Sequence, residues 1–295
     1  MNGFYDLPEY VRTPLLLAAA ALWFFLLAMV VKGPRRALED GIAARSELFA
    51  NFVMWGLDAV ILSPLLVIGV NLGLDGLAAY GVSLPSPVWP HLGPIPTIVL
   101  CIIAADFVGY WRHRLEHAPW FWPAHAVHHS DRHMTWMTLE RMHPVDRLIT
   151  STDVLILAML GFPVWAIGAN VLVRHYYGYL LHADVPWTLG KFELVFNSPA
   201  MHRWHHSRDV RTSSTNFATI FSVWDRLFGT LHAPGPCDAP LGVEEDMGQG
   251  VVGQYLHPFR VWLGLNRPQE PSVPAPAPVR IQVDVAAAKA ITPAV

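Results

Sequence analysis

The sequence predicts an all-α fold: an integral-membrane helical bundle of about three spanning helices plus a helical hairpin, carrying a cytoplasmic, histidine-rich helical cap. Three observations predict it. Of 295 residues, 53% are hydrophobic and only 15% charged, whereas water-facing domains carry about 25% charge. The apolar residues collect into runs long enough for a bilayer, which needs about 20 of them. The 15 histidines concentrate after the third such run.

Residues 1–13 form an N-terminal segment ahead of the first run, Pro14 to Val31. Lys32, Arg35 and Arg36 follow that run, whereas a signal peptide carries its positive charge before the apolar core. A retained spanning helix is expected. The second run, Phe52 to Leu74, is long enough to cross and is interrupted by Asp58 and Asn71. The third, from Ile95 to Tyr110, carries Asp106 near its end. A fourth apolar region, Leu148 to Leu181, breaks at Gly161-Phe162-Pro163. Its first half is too short to span comfortably, so the turn closes a hairpin that dips into or crosses the bilayer. Pro186 to Leu265 is mixed and less apolar, suited to a cap with helical segments. The membrane-embedded domain is thus expected over 14–265. The Pro/Ala-rich tail, 266–295, cannot bury a core and is expected to be disordered.

Basic residues suggest the orientation. Lys32, Arg35, Arg36 and Arg45 lie between the first two runs, and neither Lys nor Arg occurs from Glu47 to Trp111. Positive charge favours the cytoplasmic side, which puts the first connection, Arg112 and everything histidine-rich inside. A net charge of -3 gives no nucleic-acid footprint. Cys101 and Cys237, the only cysteines, form no close metal or redox motif.

The histidines fall into motifs. His113-Arg-Leu-Glu-His117 has HxxxH spacing, while His125-Ala-Val-His128-His129 and His202-Arg-Trp-His205-His206 are both HxxHH. Helical residues three and four apart share a face. HxxxH therefore offers two imidazoles to one point. HxxHH offers its first and last, with the middle one near enough for the same or a neighbouring ion. One such motif is often only a pair of packed or surface histidines, but three together with His182 exceed coincidence. Nine histidines are also too many for one zinc, which takes three or four ligands, and suit two ions. Glu116 sits directly before the second histidine, which is not the zincin arrangement. Imidazole suits iron, zinc, copper and nickel alike, so spacing does not choose the metal.

Around these residues the sequence resembles the fatty acid hydroxylase/sterol desaturase superfamily of membrane di-iron enzymes. The resemblance covers Asp106 to Thr230 and, more weakly, extends to Pro258. It runs through Asp106, Tyr110-Trp111-Arg112-His113 to His117, Trp122, His125 to Ser130, Arg141-Met142-His143-Pro144-Val145-Asp146 and His182-Ala183-Asp184. It closes with Ser198 to Ser207, Asn216 and Trp224 to Thr230. It implies two irons held by His113, His117, His125, His128, His129, His182, His202, His205 and His206. Some members carry a further histidine four positions before the residue matching His182. Here that position is Gly178, which leaves a tenth ligand open, with His143 and His175 as candidates.

The resemblance further implies O2-dependent oxidation of an unactivated C–H bond in a lipid-like substrate (sterol, fatty acyl or related), giving an alcohol or, by a second hydrogen abstraction, an alkene. The metal carries the difficult step, so no catalytic side chain beyond the ligands is expected. Metal-bound imidazoles usually donate their other N–H to a carboxylate or carbonyl. Asp106, Glu116, Glu140 and Asp184 are near enough in sequence, and Asp106 is the first choice. Glu116 is expected in a surface salt bridge with Arg112. His143 is expected to hydrogen-bond a ligand or order its loop. His91, His133, His175, His232 and His257 match no metal spacing, and Trp224 to Thr230 is expected to pack the third motif.

The competing class is a non-catalytic membrane metal- or haem-binding protein. Its histidines would sit within the spans, as would a transporter's polar groups at the midplane. Ether cleavage after hydroxylation is an alternative outcome on the same metal pair. No flavin or dinucleotide motif occurs, so electrons are expected from a separate ferredoxin- or cytochrome-type donor with its reductase. A bacterial inner membrane suits the compact chain, with the endoplasmic reticulum as the alternative.

Overall fold

The computed structural model describes residues 9–82 and 88–265. The Pro/Ala-rich tail, expected to be disordered, lies outside the described residues, as do the first residues of the N-terminal segment. Every regular element described is helical, apart from an isolated bridge between Ser207 and Leu241.

Helix α1 (Glu9–Lys32) begins inside the expected N-terminal segment and ends at the expected basic boundary. Helix α2 (Pro34–Ala43) follows after Gly33, with Pro34 in its first turn, where the missing N–H costs nothing. Helix α3 (Arg45–Leu57), a π-helical turn (Asp58–Leu62) and α4 (Ser63–Ala79) run on as one rod of 35 residues. Short α5 (Val88–Leu92) leads into α6 (Pro94–Glu116). Three segments are long and apolar enough to cross a membrane: Leu15–Lys32, Arg45–Ala79 and Pro94–Glu116. The chain is an integral membrane protein.

The second span differs from its expected bounds. At 1.5 Å per residue the rod is roughly 50 Å long, against a hydrocarbon core of about 30 Å. Its first third instead anchors the cap. The Asn51 amide donates to Asp131 at 3.0 Å, and Arg141 donates to Asn51 at 2.6 Å and pairs with Glu47. Asp58, at the π-turn, meets Arg147 at 3.3 Å. Hydropathy peaks over the apolar two-thirds and says nothing about polar groups whose partners lie some 90 residues on.

The cap begins with α7 (Trp122–His129) and a 3₁₀ turn (Trp136–Glu140). The hairpin follows as α8 (Pro144–Met159) and α9 (Val164–His182), joined through Gly161 at φ 80°. That left-handed conformation suits glycine, and Trp89 stacks on Phe162 beside it at 4.5 Å. Helix α8 lies against α4 and α6, and α9 crosses α6. Cys101, Ala105, Leu157, Phe162, Ala166 and Ile167 form the core between them. Gly109 allows the crossing, because a Cβ there would sit 2.2 Å from the Arg174 guanidinium. A second 3₁₀ turn (Gly190–Leu194) precedes α10 (Pro199–His205), α11 (Val210–Ser213), α12 (Val223–Leu227) and α13 (Gly250–Trp262). Helix α13 covers α7.

Large apolar side chains stay uncovered on the spans, including Trp23, Val30, Leu65 and Leu72, as a lipid-facing surface requires. At the end of α1, Lys32 pairs with both Asp40 and Asp184. The first connection and the histidine-rich cap therefore lie at the same end of the bundle.

Candidate metal centre

The chain builds its histidine platform from short, sharply started helices. Each of α7, α8 and α10 has proline in its first turn, pre-set at helical φ. The Ser198 hydroxyl caps α10 by accepting from Met201 N–H at 3.2 Å, and the His143 ring caps α8 by accepting from Val145 N–H at 3.1 Å. The end of α6 supplies His113 and His117, α7 supplies His125, His128 and His129, the last turn of α9 supplies His182, and α10 with its cap supplies His202, His205 and His206.

These nine converge in two groups. His113, His117, His125, His129 and His205 form one, and His128, His182, His202 and His206 the other; within each, one potential ligand atom per residue lies within 4.8 Å of all the others. Each HxxHH motif splits the same way, its first and last histidines entering one group and its middle one the other. The groups adjoin, with the His129 and His206 rings stacked at 4.3 Å.

Hydrogen bonds fix which ring nitrogen faces inward. Nδ1–H of His113 donates to the Phe217 carbonyl at 2.8 Å, that of His128 to Arg141 at 3.2 Å, that of His182 to Gly178 at 2.7 Å and that of His205 to Thr215 at 2.6 Å. His125 Nδ1 faces the Asp146 carboxylate at 3.1 Å. Such outer partners set the tautomer of a ligating imidazole. The Nε2 atoms thereby left with lone pairs confront one another, His113 and His205 at 3.0 Å and His128 and His182 at 3.2 Å. Nε2 of His125 lies 3.1 Å from that of His113 and 3.2 Å from that of His129, and Nε2 of His202 lies 3.0 Å from that of His182. Facing lone pairs repel unless a cation lies between them. Metal–nitrogen bonds of about 2.0–2.1 Å bring neighbouring ligands to such separations. His117 Nε2, His129 Nδ1, His202 Nδ1 and both nitrogens of His206 are buried without a hydrogen-bond partner among the described residues. That too fits a metal-binding donor set.

Burial keeps most of these rings neutral, the form that ligates. His117, His128, His129, His202 and His206 lie well below the usual imidazole range, chiefly by desolvation. Desolvation also holds His182 down to about 4 and His205 to about 3. His125 is the exception. Desolvation lowers it too, but the charge and hydrogen bond of Asp146, joined by Glu116, raise it on balance.

Residues 98–230 match the fatty acid hydroxylase family, a stretch that contains all nine histidines. That stretch is similar to a fatty acid hydroxylase domain. Ornithine lipid hydroxylase of Rhizobium tropici is 33% identical over 211 residues, 63% of this chain and 62% of that one. Human (Homo sapiens) alkylglycerol monooxygenase is 28% identical over 163 residues, 54% of this chain and 36% of that one. Methylsterol monooxygenase 2-2 of Arabidopsis thaliana is 31% identical over 157 residues, 50% of this chain and 56% of that one. The chain thus spans less than two thirds of each relative's length. No solved structure matches it.

Within this stretch several residues serve differently from expectation. Asp106 is fully buried and touches no histidine: it accepts the backbone N–H groups of Ile220 at 2.9 Å and Phe221 at 2.8 Å. It thereby holds the strap whose Phe217 carbonyl receives His113. His143 also contacts no histidine of either group; besides capping α8, its Nε2 donates to the Tyr255 carbonyl at 3.1 Å, so it orders the loop. Glu116 does pair with Arg112, at 2.7 and 2.8 Å, but the pair is buried, with Asp153 on the other side of Arg112 at 3.1 Å. Glu140 binds Arg147 and Tyr179, and Asp184 pairs with Lys32 and Arg203. The imidazole-binding carboxylate is Asp146, in the first turn of α8. Its signal in the sequence was an acidic residue three positions after His143, at a helix start.

His175 points to Glu140 at 3.4 Å and is in neither group. A side chain at Gly178 would meet the Leu139 methyls at 3.1 Å, so that position has little room for a histidine. His91, His133, His232 and His257 also lie outside both groups. The segment from Trp224 packs against α6, with Phe228 5.3 Å from Tyr110 on ring centres, and not against the third motif as expected; its Asp225 accepts the N–H groups of Phe217 at 2.7 Å and Ala218 at 3.1 Å.

Proposed function

We propose that each histidine group holds one iron ion and that the chain hydroxylates a C–H bond of a membrane lipid with O2. The carrying observation is the sorting of nine imidazoles, seven buried and His113 and His117 half-buried, into two adjoining groups with nitrogens turned inward. The overall balance is R–H + O2 + 2 e⁻ + 2 H⁺ → R–OH + H2O. Iron bound there supplies the O2-dependent oxidation of the C–H bond.

The chain's own residues bind, orient and exclude water. The five-histidine group binds through rings steadied from outside by Phe217, Thr215 and Asp146, and the four-histidine group through rings steadied by Arg141 and Gly178 carbonyls. Trp122, 5.1 Å from His117, and Phe217, 5.0 Å from it on ring centres, wall the first group with apolar surface. The site sits where spanning helix α6 meets the cap, within reach of a lipid's chain or head. The names of the relatives, acting on ornithine lipid, alkylglycerol and methylsterol, support a lipid as substrate. Electrons come from a separate ferredoxin- or cytochrome-type donor. The cap faces the cytoplasm of a bacterial inner membrane, consistent with Lys32, Arg35, Arg36 and Arg45 at the cap end.

The full chain, purified in detergent, should contain about two irons and, with a donor system and ¹⁸O2, transfer one ¹⁸O to an extracted lipid. A product lacking two hydrogens and carrying no label would make it a desaturase. One metal per chain, haem absorbance, or turnover without O2 would overturn the reading.

A further inference from the structure

A cavity of about 170 Å³ opens beside the cap, lined by Lys32, Arg36, Asp40, Arg132, Asp184 and Arg203 among others. Four basic side chains against two carboxylates leave it with a formal charge of +2. Its charges are not equally free. Lys32 is taken up by Asp40 and Asp184 together. The three guanidinium groups are not: Arg36 is 4.0 Å from Asp40 and Arg203 is 3.5 Å from Asp184, both beyond good hydrogen-bond range. Arg203 Nη1 is buried without a hydrogen-bond partner. Arg132 is exposed and has no ion-pair partner among the described residues. Such planar forks match the oxygens of phosphate and carboxylate, which they bind bidentately.

The position of the cavity says what carries the oxyanion. Lys32 is the last residue of the span Leu15–Lys32. Helix α2, which supplies Arg36, exposes Leu38 and Ile42 along with charged Arg35 and Glu39, the pattern of a helix lying in the interface. The cavity is therefore at head-group depth. It is smaller than the roughly 300–1,000 Å³ pockets that take drug-sized molecules, and it suits a head group with its acyl chains left in the bilayer. Arg203 follows His202 directly and Asp184 is two residues past His182, so the cavity shares elements with the four-histidine group.

We propose that this cavity binds the phosphate or carboxylate of an anionic lipid and so anchors the substrate by its head. Anion binding stands on the cavity alone; that the bound lipid is the substrate rests on the function proposed above.

The test uses the full chain in detergent, with native mass spectrometry to measure binding of phosphatidylglycerol, diacylglycerol of the same chain length, and inorganic phosphate. Phosphatidylglycerol should bind at least about tenfold (about 1.4 kcal/mol) more tightly than diacylglycerol. The double variant Arg36→Gln/Arg132→Gln should lose that advantage, because both side chains are on the surface and neither supports the fold. The charge-matched control Arg35→Gln/Arg211→Gln, outside the cavity, should keep it. Equal binding of the two lipids, an unaffected double variant, or an equal loss in the control would overturn the proposal. Inorganic phosphate binding as tightly as the lipid would show a free-anion site and overturn the lipid assignment. Cavity-dependent lipid binding without O2-dependent turnover of any lipid would leave the head-group site standing and sink the catalytic reading.

Discussion

The two histidine groups share both HxxHH motifs, with the HxxxH pair only in the first and His182 only in the second, and they are supported differently. In the five-histidine group, His125 is backed by a carboxylate, Asp146, with Glu116 3.9 Å from the same ring nitrogen and Arg112 behind it. In the four-histidine group the identified outer partners are backbone carbonyls, those of Arg141 and Gly178. A carboxylate partner makes an imidazole a stronger donor than a carbonyl does. Five nitrogens also leave less of an ion's coordination open than four. If each group holds an ion as proposed, the first would hold its ion the more tightly and the second, beside the proposed head-group cavity, would leave its ion the more open.

The harshest way to break the comparison is to remove a ligand from each group. His202→Ala and His205→Ala should each abolish turnover, and each should lower iron from about two to about one per chain. Metal analysis of the purified variants checks this. If the groups were one shared site, either substitution would empty both.

Next in size is Arg112→Met. It would leave Glu116 and Asp153 buried without their shared cation, and breaking a buried pair by removing one partner costs about 3–5 kcal/mol. Thermal unfolding should show the loss. Arg112→Met/Glu116→Leu should recover part of it, since Glu116 is then no longer a buried charge without its cation and Asp153 keeps Arg174 at 3.5 Å. No recovery would mean that Glu116 is needed for more than neutralising Arg112.

Asp146→Asn bears on the carboxylate itself. An amide can accept from His125 but lacks the charge, and loss of such an outer partner costs roughly 10–100-fold in metal affinity or activity. Competition with a chelator should release one ion faster, while the ion in the four-histidine group leaves at the wild-type rate. Equal acceleration of both would erase the proposed asymmetry.

The sequence carried much of this arrangement and hid a definite part of it. The spans and the hairpin follow from apolar runs and from Gly161-Phe162-Pro163, because hydropathy and turn chemistry are local properties. The histidines follow from spacing for the same reason. Asp106 shows the limit. Its position seven residues before His113 suggested a bond to an imidazole, but its oxygens meet two backbone N–H groups 114 and 115 residues on. A buried carboxylate goes to whichever donors tertiary packing brings, and backbone donors leave no mark in the sequence. Asn51 and Glu47 hold Arg141 across some 90 residues for the same reason. The split of each HxxHH motif also needed the other helices in place, since three imidazoles on one turn are compatible with one ion or two.

The smallest expected effect comes from the plainer group. Gly178 holds His182 through its carbonyl at 2.7 Å, and a Cβ there would press on Leu139 at 3.1 Å. Leu139 lies in the 3₁₀ turn Trp136–Glu140, directly before Arg141, whose carbonyl holds His128. Gly178→Ala therefore pushes on both identified supports of the four-histidine group and on none of the five-histidine group. Alanine gains up to about 1 kcal/mol over glycine within a helix, while overpacking typically costs about 1–3 kcal/mol. Net stability should fall by no more than about 2 kcal/mol by that arithmetic. Metal retention should shift more selectively than stability: the four-histidine ion should leave faster, and the five-histidine ion at its original rate. The companion variant Gly178→Ala/Leu139→Ala removes the clash and should restore retention even though it opens a small void. Failure to restore it would mean that Gly178 acts through its backbone freedom and not through the space it leaves for Leu139.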